Sequence, residues 1–222
     1  MLDRLNELFK SSTIKPTFDI VHIVLALFIF GKNPEGIGRY KLQKELMIGS
    51  GTTRSLIEKL NEIGNYISVT DKNKRKGHVL TEKGLEFLRT IKKKIPLLEK
   101  GDLKILEDII VENKNIFAYF SLIKNVANKV NSGIEQRDAA IKVNGSGATC
   151  LIYDGHNLKL PSSPFLDNKY DLILNDNIQK YFKIRVSDNN AELENQDVII
   201  IGLGDSYEKA RLAALNSILT LI

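Results

Sequence analysis

The chain has 222 residues, 43% of them apolar, which is enough to build the cores of two domains of ordinary size. Its formal net charge of +5 is unevenly placed, since residues 1–100 carry 19 basic and 11 acidic side chains whereas residues 101–222 carry 13 and 16. A single cysteine, Cys150, excludes an internal disulfide and a multi-cysteine zinc site. We therefore expect a protein of the reducing cytoplasm whose first half meets a polyanion, with an uneven solvated surface as the simpler alternative.

The longest apolar run extends from Ile20 to Phe30 and is interrupted only by His22. It is about half of the roughly 20 residues that a membrane-spanning helix needs, so we expect a buried helix and no membrane partner. A short helix or arm is predicted before it, from Met1 to Lys10, and a turn after it, from Gly31 to Gly36.

Two further short helices are predicted in quick succession. The first covers residues 38–46, and a glycine-rich turn at residues 47–51 leads into the second, over residues 50–63, with Ser50 as its N-cap. The predicted apolar positions of the two helices are Tyr40, Leu42 and Leu46, and Leu56, Ile57, Leu60 and Ile63. This spacing indicates a helix, a tight turn and a helix.

A β-hairpin and a closing helix complete the first half. The hairpin strands are predicted at residues 66–70 and 78–81, joined by a polar turn over residues 71–77. Thr81 then caps a helix that Pro96 ends, with apolar positions at Leu85, Leu88, Ile91 and Ile95. Three helices, a hairpin and a helix predict a winged helix-turn-helix domain over residues 1–96.

In such a domain the third helix enters the major groove of DNA, and the hairpin, or wing, reaches the flanking phosphates. The predicted contacts of the third helix are Ser50, Thr52, Thr53, Arg54 and Ser55, and those of the wing are Lys72, Lys74, Arg75 and Lys76. Arg54 is the favoured base reader, because arginine can bond bidentately to guanine. The predicted contacts with the DNA backbone beside the groove are Arg39, Lys41 and Lys44.

The second half, residues 101–222, predicts a mixed α and β domain and makes the whole chain α+β. The predicted elements are apolar segments at residues 103–111 and 116–123, a helix at 125–143, a hairpin at 148–160 turning at Asp154-Gly155, a helix at 176–182, a strand at 197–201 and a helix at 205–221. This domain would serve dimerisation or the sensing of an unknown small-molecule effector.

Two glycine-rich turns are candidate anion sites in this domain. The first turn, Asn144 to Thr149, can offer backbone N–H groups to a ligand, although a flexible turn explains it as well. Its candidate ligand-binding residues are Arg137, Lys142, Gly145, Gly147 and Thr149. The second, Gly202 to Ser206, lacks the third glycine of a dinucleotide-binding turn, and Asp205 with Glu208 predicts a capping box instead.

Catalytic and metal signatures are missing from the sequence. His22, His78 and His156 stand in three different segments, and Cys150 lies in a predicted strand as a buried, inert thiol. There is no phosphate-binding lysine motif, catalytic triad or paired-carboxylate pattern. We therefore expect no enzyme, no metal and no cofactor.

Several segments resemble winged-helix transcriptional regulators of archaea that carry a C-terminal domain of unknown function. They are Ile37-Gly-Arg-Tyr-Lys-Leu, Gly49-Ser-Gly-Thr-Thr-Arg and Leu80-Thr-Glu-Lys-Gly in the first half, and Arg137-Asp-Ala-Ala-Ile-Lys with Gly145-Ser-Gly-Ala-Thr in the second. The resemblance implies a regulator that binds double-stranded DNA, and it supplies no catalytic residues.

A homodimer is expected, because one such domain reads only a short half-site, with the closing helix and the C-terminal helix as candidate interfaces. Two alternatives remain open. One is an enzyme with a DNA-binding appendage, whose turns at Gly145 to Thr149 and Gly202 to Ser206 bind a nucleotide or a phosphorylated metabolite. The other is a protein-interaction module that uses the winged helix to contact another protein.

Overall fold

The structure is a computed structural model that describes residues 2–10, 16–69, 77–110, 115–161 and 172–222. The chain divides into two compact units, Met1–Ile91 and Lys92–Ile222. The predicted wing residues Lys72, Lys74, Arg75 and Lys76 lie outside the described residues. Within the described part, no helix combines the length and the apolarity that crossing a membrane requires.

The N-terminal unit contains the predicted order of three helices, a hairpin and a helix. A short 3₁₀ helix, Leu2–Phe9, precedes α1 (Ile20–Lys32), α2 (Arg39–Leu46), α3 (Ser50–Glu58), a π-helical turn (Lys59–Ile63), β1 (Ile67–Val69), β2 (His78–Leu80) and α4 (Glu82–Lys94). Helix α1 is buried along almost its whole length, as its apolar run predicts. The Nδ1 atom of His22 accepts a hydrogen bond from the backbone N–H of Asp19 at 3.0 Å, so this histidine is a satisfied structural residue.

Three apolar predictions in this unit were wrong. Tyr40 is 75% exposed, because it lies ~200° around the helix from Leu42, which faces the core. Ile63 is 47% exposed, since the wider π-helical turn changes the phase of the helix after Glu58. Leu85 is 40% exposed.

Helix α4 instead turns Gly84, Phe87, Leu88 and Ile91 inward, which is a regular i, i+3, i+4, i+7 face. Gly84 is required on this face, because a Cβ atom there would lie 2.0 Å from the carbonyl oxygen of Tyr66. The predicted Thr81 cap is confirmed, since its hydroxyl accepts the N–H of Gly84 at 3.1 Å.

The hairpin is joined to the segment before α2. Strands β1 and β2 are antiparallel, with Ile67 opposite Leu80, and His78 also exchanges two backbone hydrogen bonds with Ile37 at 3.0 and 3.1 Å. Gly77, at the root of the hairpin, has φ of +87°, and a Cβ atom there would lie 2.2 Å from the Ile37 carbonyl oxygen. Only glycine can adopt this φ angle and allow so close an approach of the two backbone segments.

The C-terminal unit is built on one antiparallel sheet in the order β3-β4-β7-β5-β6. Its elements are β3 (Leu97–Lys100), α5 (Leu103–Leu106), β4 (Phe117–Ile123), a 3₁₀ turn (Ala127–Lys129), α6 (Ile134–Lys142), β5 (Gly147–Tyr153), β6 (Leu158–Lys159), α7 (Asp176–Asp188), β7 (Val198–Gly204) and α8 (Tyr207–Leu219). Strand β7 lies between β4 and β5 and pairs antiparallel with both. The predicted mixed α and β unit is confirmed.

Some boundaries in this unit differ from the sequence prediction. The single helix predicted over residues 125–143 is broken by Gly133, whose φ is +79°, and only α6 follows it. Helix α7 runs six residues beyond the predicted end at Phe182, as far as Asp188. The edge strand β3 was not predicted, because its four residues directly follow a helix and Pro96.

Helices cover both faces of the sheet. Phe120 and Ile201 point to one face, where they form a core with Phe182 and Val186 of α7. On the other face Gly202 and Gly204 point to α8, so closely that a Cβ atom on Gly202 would lie 2.1 Å from the backbone nitrogen of Ala214. The unit is thus a three-layer arrangement of helix, sheet and helix.

Candidate nucleic-acid interface

Helices α2 and α3 form a tight helix-turn-helix. Met47 closes α2 in the left-handed conformation, with φ of +56°, and Gly49 is the N-cap of α3. Leu42 and Leu46 of α2 are fully buried, as is Leu56 of α3. These anchors fix the two helices against the core and leave the first turn of α3 at the surface. The predicted cap at Ser50 was wrong by one residue.

Thr53 must be removed from the predicted DNA contacts. Its side chain is completely buried, and its hydroxyl donates to the carbonyl oxygen of Gly49 at 2.9 Å. This bond holds the first turn of α3 to the cap residue. Thr52 is half-buried, and its hydroxyl oxygen lies 2.7 Å from that of Thr17, in the segment before α1. Thr53 is therefore structural, and Thr52 is partly engaged.

The exposed part of α3 begins with small residues. Ser50 and Gly51 are exposed, and a Cβ atom built on Gly51 would meet nothing within 4 Å. Gly38, the N-cap of α2, is equally open. Ser55 is half-buried. The N-terminal turns of both helices consequently offer an uncluttered surface that another backbone can approach closely.

Arg54 is the principal cation of this surface. Its side chain is 70% exposed, and its Nε atom donates to Oε1 of Glu58 at 2.8 Å, one turn along α3. The contact uses only one of the five guanidinium donors. Among the described residues the two terminal amino groups have no further hydrogen-bond partner, so they are available to an external acceptor.

Helix α2 adds three more cations and an aromatic ring. Arg39 lies against Tyr40, with its Cζ atom 5.1 Å from the ring centroid and Nη2 3.3 Å from the hydroxyl oxygen. Lys41 donates to Oδ1 of Asn33 at 3.4 Å, and Lys44 is exposed. Tyr40 is a candidate contact that sequence reasoning assigned to the core. Its position two residues before Leu42, off the apolar face, is the signal that could have identified it.

The first candidate anion site of the C-terminal unit is not supported by its hydrogen bonds. The N–H groups of Asn144, Gly145 and Ser146 donate to the carbonyl oxygens of Ile141, Ala140 and Leu203, at 3.0, 3.0 and 2.8 Å. These donors are therefore already used within the fold. Gly145 is needed for packing, since its Cβ atom would lie 2.6 Å from that of Ala213.

Only two of the five residues predicted beside this turn line a common cavity. Arg137 and Thr149 line a cavity of about 290 Å³ next to Cys150, whereas Lys142, Gly145 and Gly147 are not among its lining residues. Arg137 is paired with its neighbour Asp138 at 2.9 Å. Burial raises the pKa of the Cys150 thiol to about 12, so it stays protonated and is a poor nucleophile, as predicted.

The second glycine-rich turn also has a structural explanation. Gly202 and Gly204 let α8 approach β7, as described above. The predicted capping box was wrong, because the N-cap of α8 is Ser206, whose hydroxyl accepts the N–H of Lys209 at 3.2 Å. Asp205 pairs with the Lys209 ammonium at 2.7 Å. Among the described residues no group of three or more histidine, cysteine and acidic side chains could hold a metal ion.

Comparison with known proteins gives two similarities. A protein-family model for a domain of unknown function, DUF4443, matches residues 114–221. A solved structure, a hypothetical protein from Pyrococcus horikoshii OT3, is similar to the chain with a TM-score of 0.62 and 24% sequence identity, over 90% of this chain and 91% of that one. No curated protein matches the chain. The archaeal neighbour shares the fold, and neither similarity carries a function.

Proposed function

We propose that the N-terminal unit is a winged-helix domain that binds double-stranded DNA and that the chain is a sequence-specific transcriptional regulator. In this proposal α3 enters the major groove, α2 lies across the backbone, and the hairpin β1–β2 carries the wing. The antiparallel pairing of β1 with β2, and the bridge from β2 to Ile37, provide a rigid base for the wing.

One observation carries the proposal, which is the open first turn of α3 beside an exposed Arg54. A recognition helix meets base edges with its N-terminal residues, and large side chains there would keep it out of the groove. Ser50 and Gly51 leave that turn clear, and the free end of Arg54 can form the bidentate pair with O6 and N7 of guanine.

The remaining contacts in the proposal are electrostatic. Arg39, Lys41 and Lys44 lie on the helix that would cross the phosphates, and Tyr40 presents a hydroxyl beside Arg39. Lys72, Lys74, Arg75 and Lys76 on the wing would add four charges opposite the flanking backbone. These groups would position the domain, and Arg54 would choose the sequence.

We further propose that the regulator acts as a homodimer, because two half-sites give more specificity than one. Helix α8 is a poor interface, since its residues from Ala210 to Ile218 are mostly buried within the C-terminal unit. Helix α4, on which Leu85 is exposed, is the better candidate. The C-terminal unit would then be the part that senses an effector.

The enzymatic alternative has lost its main support. It required the turns at Gly145 to Thr149 and Gly202 to Ser206 to face a ligand, and Gly145, Gly202 and Gly204 instead pack closely against α8. The protein-interaction alternative uses the same surface, so only a binding experiment can distinguish it from our proposal.

The test is a selection of bound duplexes from a random library by the full-length protein, with Arg54→Ala as the parallel sample. The proposal expects an enriched motif for the wild type and a loss of preference at one guanine for the variant. A folded wild type that retains no duplex at low salt would overturn the proposal and favour a protein partner.

A further inference from the structure

A cleft in the C-terminal unit lies between the short helix α5 and helix α7. It consists of two adjoining cavities of about 430 and 530 Å³. Lys104, Tyr181 and Arg185 line both of them, so the two form one continuous surface. A cleft of this size accommodates a small metabolite. It lies apart from the turn at Asn144 to Thr149, and nothing in the DNA-binding proposal uses it.

Arg185 brings a fixed guanidinium to the cleft. Its Nη2 atom donates to Oε2 of Glu99 at 2.5 Å, and its side chain is 37% exposed. Its Nε atom is buried and has no hydrogen-bond partner among the described residues. Because a buried atom is out of reach of a ligand in an open cleft, the terminal amino groups are the donors that Arg185 can offer there.

Tyr181 contributes a second donor that is held in place. Its hydroxyl oxygen accepts the backbone N–H of Asp102 at 3.0 Å, and its ring packs against Phe120 and Phe182. Accepting that bond leaves its own O–H hydrogen available to a ligand. Burial raises the pKa of Tyr181, so the phenol remains a donor at neutral pH.

Charged side chains of both signs line the cleft. Four lining residues are cations, Lys100, Lys104, Lys180 and Arg185, and three are acids, Asp102, Glu107 and Asp108. Asp108 accepts the amide of Asn175 at 2.7 Å and Asp102 accepts the backbone N–H of Lys104 at 3.0 Å, so a carboxylate oxygen of each acid is used within the unit. The Lys100 ammonium lies 4.0 Å from the centroid of the Tyr207 ring, at the open end.

We propose that this cleft binds a small organic anion, whose carboxylate or phosphate group is received by Arg185, Tyr181 and Lys104. Charged acceptors make short, strong hydrogen bonds to guanidinium, phenol and ammonium donors, and the cleft offers one donor group of each kind. Carboxylates and phosphates share this chemistry, and they differ in charge and in the number of oxygen acceptors.

The experiment is an NMR titration of the full-length, ¹⁵N-labelled protein with benzoate, phenyl phosphate and inorganic phosphate, and with benzyl alcohol as the uncharged control. Binding should move the amide signals of residues 102–106 and 175–185. A stronger response to phenyl phosphate than to benzoate would identify a phosphate site, and the reverse a carboxylate site.

Three variants decide between a built site and general attraction of anions. Arg185→Gln should weaken binding about tenfold or more, and Lys104→Gln, which changes an exposed side chain, about threefold. Lys183→Gln removes a charge from α7, the helix of Arg185, at a position that does not line the cleft. This variant should bind the anions like the wild type. If Arg185→Gln does not fold, Lys104→Gln decides.

The proposal is overturned if the anions move no signals in the cleft, or if benzyl alcohol moves the same signals. It is also overturned if Lys183→Gln weakens binding as much as Lys104→Gln does. No DNA is present in these titrations, so their failure would leave the DNA-binding proposal untouched.

Discussion

The Nε atom of Arg54 donates to Oε1 of Glu58 across one turn of α3, at 2.8 Å. Both side chains are largely exposed, so the pair adds little to the stability of the helix. It holds the guanidinium along the helix surface, with its terminal amino groups outward. Glu58 also places a negative charge close to the proposed DNA face.

Glu58→Gln should therefore raise affinity for DNA, by about threefold on any duplex, because it removes a charge that phosphates repel. The change is measured by fluorescence anisotropy on selected and on scrambled duplexes. Glu135→Gln, which changes an exposed acid on α6, is the matched control and should have a smaller effect. An equal rise in both variants would mean that only net charge had been measured.

Arg54→Ala should weaken binding to the preferred site about tenfold or more, and should relax the choice of base at one position. Binding to scrambled DNA should fall far less, because a base contact carries the sequence information. Arg4→Ala, which removes an exposed arginine from the N-terminal 3₁₀ helix, is the control for loss of charge. If Arg54→Ala loses equal affinity on both duplexes, Arg54 contacts only phosphate.

Two glycines of the N-terminal unit should respond oppositely to alanine. Gly51→Ala fills open space within a helix and should raise the free energy of unfolding by up to about 1 kcal/mol. Gly77→Ala should lower it by about 2 kcal/mol or more, because φ is +87° and the added methyl group meets the Ile37 carbonyl. Thermal and urea unfolding measure both changes.

A methyl group at Gly51 should also weaken DNA binding, because it narrows the open first turn of α3. Unchanged affinity of Gly51→Ala for DNA would mean that the DNA binds elsewhere on the protein.

The order of the N-terminal elements could be predicted because helix and strand periods are local properties of the sequence. The prediction failed for residues whose burial depends on contacts with other parts of the fold. Thr53 follows Thr52 with the same chemistry, yet its position over Gly49 buries it and turns its hydroxyl to the backbone. No residue pattern announces the π-helical turn that exposes Ile63.

The cleft beside α7 could not be predicted at all. Lys104 is far from Tyr181 and Arg185 in the sequence, and only the pairing of β3 with β4 and the packing of α7 on the sheet bring it beside them. By contrast, the glycines near residues 145 and 202 form a sequence motif that is typical of anion-binding turns, whereas in the fold they allow the close approach of α8. Glycine spacing alone does not distinguish a ligand-binding turn from a site of close helix packing.

The turn between β5 and β6 should make the protein sensitive to acid. The pKa of Asp154 is lowered by hydrogen bonds from the backbone N–H groups of Asn157 and His156, at 2.8 and 2.9 Å. Because the folded state favours the carboxylate, this stabilisation is present above the ordinary aspartate pKa of 3.8 and is lost as pH falls through the lower folded value.

Asp154→Asn retains an acceptor oxygen without the titration, so its free energy of unfolding should fall less than that of the wild type between about pH 5 and pH 3. Urea unfolding across this range is the measurement. Asp188→Asn, an exposed aspartate at the end of α7, serves as the control. Identical pH profiles for the wild type and Asp154→Asn would remove Asp154 from the acid response.

The most direct test of the central claim is the affinity of the full-length protein for a random duplex at a series of salt concentrations. We predict binding whose logarithm falls linearly with the logarithm of salt, and a shallower slope when Lys74, Arg75 and Lys76 are changed to alanine together. A folded protein that binds no duplex at low salt would contradict the claim, and an unchanged slope in the triple variant would remove the wing from the DNA contacts.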